Sequence, residues 1–211
     1  MTHTNHRQGT SESLSKDYVV FLYAAKGINS QGAGPKCQNF LKMAFKHNAV
    51  NAGSPQVGNL FTIPTETLIE GAGSQTKVYA VFDDKENAKA LVKDVTEARM
   101  GLSLIVSGLF NEVDDICREA GIKRHTTQCS LGVWGDTERL PREEIINATT
   151  MCGHGMVSAT LVKQMAGDVK NNLVSLKKAA GILAKPCVCG VFNPKRAEEI
   201  IKQCIFNGIV N

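Results

Sequence analysis

Between Asp17 and Trp134, runs of β-forming apolar residues alternate with stripes of helical period, and beyond Arg139 only the helical period remains. That alternation constrains the fold more than any other feature of the chain. Strands separated by helices must bury a sheet face against those helices, which predicts an α/β (α+β) architecture rather than a bundle or a pair of stacked sheets.

The elements follow from local chemistry. Asp17 to Ala24 is a continuous apolar run rich in β-formers and reads as a buried strand. A helix opens near Pro35 and runs to about His47, with Cys37, Phe40, Leu41, Ala44 and Phe45 on one stripe. Asn48 to Gly58 reads as loop, Asn59 to Ile63 as a short strand stopped by Pro64, and Lys77 to Phe82 as a strand. Asp83 and Asp84 offer a cap for a helix through Arg99. Leu102 to Val106 is the next strand, and Phe110 to Ala120 is a helix ended by Gly121.

This βαββαβ order predicts a ferredoxin-like sandwich over 17–136, with His125 to Trp134 as an added edge strand. A helical portion over 137–211 follows. Pro141, Ser158, Ser175 and Asn193-Pro194 mark its helix starts, and Lys185-Pro186 marks a stop. The polar segment 1–16 reads as a disordered tail with His3 and His6 in solvent. No run approaches the roughly 18 to 20 apolar residues of a membrane span, so no membrane partner is expected. The start also lacks the apolar stretch of a secretory signal, and a cytoplasmic protein is expected.

The chain has seven cysteines. An odd count in a chain expected to be cytoplasmic argues against disulfides and for thiol or metal chemistry. Cys37, Cys117 and Cys204 fall on apolar helical stripes and belong to the core. Cys129, Cys152, Cys187 and Cys189 are left over near element ends. Cys152 precedes Gly153-His154-Gly155, and Cys187-Val-Cys189-Gly190 lies in a loop between a helix stop and a helix cap.

Four thiolates ligate a [4Fe–4S] cluster or fill a structural zinc site. The pattern therefore predicts an iron–sulfur protein, a redox enzyme component or a cluster-dependent accessory factor of anaerobic metabolism. Cys129, Cys152, Cys187 and Cys189 would ligate, and His154 or His125 would tune the cluster or supply a proton. Cys129 shares a predicted strand face with Thr127, Leu131 and Val133. It is either a ligand or a buried strand cysteine, and in the second case His125 can replace it. Two further readings stand beside this one. A thiol enzyme would use Cys152 or Cys189 as nucleophile and His154 as base. A zinc-stabilised regulatory protein would bind a small ligand.

The net charge of +4 is uneven: residues 139–204 hold ten Lys and Arg against five Asp and Glu. That surplus suits an anionic cluster, a redox partner protein or a small anionic ligand. With no arginine-rich run and only Phe192 as an aromatic there, Phe206 following just beyond, nucleic acid is not an expected partner. Sheets of this class also pair, which leaves a homo-oligomer open.

Overall fold

Six consecutive residues, Tyr18–Tyr23, form the central strand β1, and five of them are buried. Strand period two sends Tyr18, Val20 and Leu22 into one core and Val19 and Phe21 into the other. Strand β2 (Asn51–Ser54) pairs with the two-residue strand β3 (Gly58–Asn59), β4 is Lys77–Phe82 and β5 is Ser103–Ser107. The sheet order is β3-β2-β4-β1-β5, and all its pairings are antiparallel. The structure is a computed structural model that describes residues 3–210.

A short helix α1 (Ser11–Leu14) precedes the sheet; α2 (Ala33–Lys46), α3 (Thr65–Gly71), α4 (Lys85–Glu97) and α5 (Phe110–Glu119) are set among its strands. Asp84 caps α4 by accepting from the Asn87 amide at 2.9 Å. Phe40 and Leu41 of α2, Leu91 and Val92 of α4 and Ile116 of α5 cover the face that carries Tyr18, Val20, Leu22, Val78, Ala80 and Phe82. Cys37 lies in this core as well.

The other face belongs to α6 (Glu143–Thr149), α7 (Ala159–Lys170), α8 (Leu176–Ala184) and α9 (Pro194–Phe206). Ile145, Val162, Leu183 and Ile200 pack there against Val19, Phe21, Tyr79 and Val81. The helical portion 137–211 thus shares a core with the sheet. Ser158, Ser175 and Asn193 cap α7, α8 and α9, and Cys204 is buried inside the last of these.

Three expectations need correction. First, His125 to Trp134 is not a strand: it is an exposed connection in which Leu131 and Trp134 are each 82% exposed. An alternating pattern makes a strand only where one face can be buried, and α6 to α9 already occupy the second face of the sheet. Gly132 and Gly135 also take φ of 92° and 96°, which breaks an extended path. Second, β2 forms in Asn51–Ser54, a segment that reads as loop, and of the expected strand Asn59–Ile63 only Asn59 is paired, within β3. Asn-Ala-Gly-Ser has poor β-propensity, but pairing to β4 and burial override it.

The third correction concerns 1–16. Residues 3–16 are not a solvated tail but a strap over the molecule; Met1 and Thr2 lie outside the described residues. Thr4, 4% exposed, shares a 2.6 Å hydrogen bond with Ser107. Arg7 pairs with buried Asp17, and Arg196 of α9 reaches the other oxygen of the same carboxylate at 2.8 Å. No helix among the described residues is long and apolar enough to cross a membrane.

Candidate metal centre

Two loops and the strap converge on the face that α6 to α9 cover. The first loop follows α6 and carries Cys152, Gly153 and His154. The second joins α8 to α9 and carries Cys187 and Cys189. The second is held by the sheet. Buried Asn59 donates its amide to the carbonyls of Cys187 at 2.9 Å, Lys185 at 3.2 Å and Ala184 at 3.3 Å. Buried Asn51 donates to the Phe192 carbonyl at 2.8 Å. At Gly190, φ is +74° and a Cβ would lie 2.4 Å from the Ala52 carbonyl carbon, so only glycine lets this turn press onto β2.

At the centre is the thiol of Cys189. Its Sγ lies 3.8 Å from Nδ1 of His154, 3.9 Å from Nε2 of His3 and 3.9 Å from Sγ of Cys187. The donor atoms of His3, His154 and Cys189 all fall within 4.8 Å of one another. The two imidazoles stack with centroids 4.3 Å apart, and the His3 ring meets Tyr79 edge-on at 5.6 Å. Cys189 is buried, His3 half-buried and His154 exposed, so the group opens to solvent on the His154 side.

Electrostatics separates the donors. Burial, followed by the neighbouring His154 and Arg7, lowers His3 to about 4, so its imidazole is neutral near pH 7 and its lone pair is available. The hydrogen bond with Cys187 favours the Cys189 thiolate; together with the Val191 amide it outweighs burial and lowers the thiol pKa. Pairing with Cys187, then burial, pushes Cys152 far above the ordinary thiol range. For Cys187 the interaction with Cys152 favours the thiolate, but pairing with Cys189 and burial prevail and raise it to about 12. At neutral pH, Cys189 is therefore the thiol predisposed to ligate a cation or to react.

Of the four cysteines singled out by sequence, Cys152, Cys187 and Cys189 line one side of the centre, and His154 joins them. Cys129 does not; it lies exposed on the 125–134 connection. His125 is also exposed there, bonded to its neighbour Thr126 at 2.8 Å. Trp134, exposed on the same connection, does not pack over the site. The lysine and arginine that act on His3, Arg7 and Lys77, both lie outside the basic segment 139–204.

The residue missed by sequence reasoning is His3. Its own neighbours carry no signal, because a histidine in a polar run reads as solvated. Asn59 was also missed as a support, since buried carboxamides have no periodicity. No known family model, curated protein or solved structure matches this chain.

Proposed function

We propose that the protein holds a single thiophilic metal ion, zinc by preference, through Cys189, His3 and His154. The observation that carries this reading is the close group of one thiol and two imidazoles, whose donor atoms all lie within 4.8 Å of one another. With zinc bonds of about 2.3 Å to sulfur and about 2.0 Å to nitrogen, tetrahedral geometry puts sulfur and nitrogen ligands about 3.5 Å apart. The 3.8 and 3.9 Å separations at Cys189 need only a small contraction to reach that spacing. A mixed sulfur and imidazole set suits zinc better than hard oxygen-seeking cations.

Three ligands, one of them exposed, leave a coordination position for water or substrate. That is the pattern of a catalytic rather than a structural zinc site. The reading is therefore a metal-dependent enzyme in which the ion polarises a carbonyl or phosphoryl oxygen or activates water. The scaffold behind it is read as a ferredoxin-like core of β1, α2, β2, β4, α4 and β5, with β3 as the strand added at its edge. The order β2-β4-β1-β5 with antiparallel pairing supports that reading.

The iron–sulfur alternative has less support. Its fourth ligand, Cys129, is exposed on a separate connection. Cys187 and Cys189, with sulfurs 3.9 Å apart, are too close to ligate separate irons of a cluster, whose thiolates point outward from it. A second reading, the thiol enzyme, is favoured by the lowered Cys189 pKa beside His154.

Metal and sulfide content of protein prepared without chelators, followed by cobalt(II) substitution, separates the three. The metal reading requires about one ion per chain and a sulfur-to-cobalt charge-transfer band that Cys189→Ser removes. About four irons with matching sulfide would restore the cluster. Metal-free protein with a fast-alkylating Cys189 would replace the metal reading with the thiol enzyme.

A further inference from the structure

We infer that Arg7, which does not belong to the donor group, is the positioning residue of this centre, and that it couples ion binding to docking of the strap over 3–16. The inference rests on the metal reading above and adds a linkage within the fold. The strap contributes His3, and Arg7 follows four residues later with its side chain 6% exposed. One guanidinium makes three connections. Nη1 donates to Asp17, and Nη2 donates to the carbonyl of Val191 and, at 3.3 Å, to that of Met151.

The places of those carbonyls matter. Val191 is two residues beyond Cys189, and Met151 is three residues before His154. Arg7 thus ties the segment that brings His3 to both loops that bring the other two donors. Apart from the donor His3 itself, no other described residue of the strap hydrogen-bonds to both loops. The Gln8 amide reaches Thr150 at 3.0 Å on the first loop only, and Arg196 holds the Gln8 carbonyl from α9. At the tip, the His3 carbonyl presses on Gly153 so closely that a Cβ there would lie 1.5 Å from it.

Two consequences follow. An ion bound by His3, His154 and Cys189 closes a loop through Arg7, so ion and strap stabilise each other by the same factor. Loosening Arg7 also spreads the donors without removing one, as displacement of an outer-shell partner does in other metal sites, where the loss is about 10–100-fold in affinity.

The test is a zinc titration of the full chain by chelator competition, with amide exchange of residues 4–16 followed in parallel. Wild type, His3→Ala, Arg7→Lys and the double variant are compared. Lysine keeps the charge but cannot span a carboxylate and two carbonyls. Zinc should slow exchange of the strap in wild type and leave it unchanged in His3→Ala. Arg7→Lys should weaken zinc about 10–100-fold, and should cost nothing more once His3 is gone. A purely structural Arg7 would weaken both backgrounds equally, which overturns the proposal, as does wild-type affinity in Arg7→Lys. Wild-type zinc affinity in His3→Ala overturns it too but leaves a Cys189–His154 centre standing, whereas zinc bound by no form overturns the metal reading itself. Gly153→Ala, which lifts the strap tip without touching Arg7, should reproduce the weakening if Arg7→Lys does not fold.

Discussion

Replacing Asp17 with asparagine removes the single negative charge between two buried guanidiniums and keeps the side-chain shape. Its Oδ1 accepts from Arg7 and, at 3.1 Å, from Asn193; its Oδ2 accepts from Arg196 at 2.8 Å. The side chains of Asp17 and Arg196 are fully buried and that of Arg7 is 6% exposed, so water cannot take over the lost interaction. Removing one partner of a buried ion pair costs about 3–5 kcal/mol, because the remaining charge is left uncompensated. Asparagine still offers an acceptor oxygen, which places Asp17→Asn near 3, on the order of the low end of that range. With a urea slope of about 2 kcal/mol/M, the midpoint should fall by about 1.5 M. Far-UV circular dichroism is the appropriate probe, since exposed Trp134 reports little on the core. Glu199→Gln is the control. It breaks the Lys16 pair, whose two side chains are each 47% exposed, and should cost under about 1 kcal/mol. Adding Arg196→Met to Asp17→Asn removes a stranded charge and should recover part of the loss. A midpoint shift for Asp17→Asn no larger than that of the control would refute the reasoning.

Asn59→Ala should cost about 1–3 kcal/mol in the same melts, because it strips a donor from three carbonyls of the Cys187 loop at once. Thiol titration of the zinc-loaded chain with an aromatic disulfide should find a single fast-reacting cysteine in the native state and all seven after denaturation, with Cys129→Ser abolishing the fast phase. Hydrogen bonding from His47, helped by Lys46, holds the Asp94 carboxyl below its ordinary 3.8. A lowered carboxylate pKa means that the pairing is intact above the unfolded value and is lost as pH falls through the folded one. A carbon-detected titration of Asp94 should therefore show a midpoint below 3.8 in wild type and a return towards 3.8 in His47→Ala.

The helices of the second face illustrate what is legible from sequence. Ser158, Ser175 and Asn193-Pro194 are cap chemistry acting within three residues, and the structure starts α7, α8 and α9 at those points. β1, β4, β5 and the core positions of Cys37, Cys117 and Cys204 were readable for a similar reason, since burial stamps its period on neighbouring residues. The 125–134 segment shows the limit: it carries strand alternation but no sheet face remains to bury it, and alternation alone does not supply a partner. β2 shows the converse, a strand of small and polar residues made by pairing alone.

Sequence by itself thus determined the class of fold, most element starts and the loops that hold Cys152, His154, Cys187 and Cys189, because those depend on contacts between near neighbours. Tertiary structure alone decided which donors meet. His3 and Cys189 are 186 residues apart and come within 3.9 Å only because α6 to α9 cover the sheet and the strap, clamped through Arg7 and Asp17, lies across the two loops. A contact of that span has no period in the chain; it exists only as a sum of burial, charge pairing and close backbone approach at places far apart in sequence.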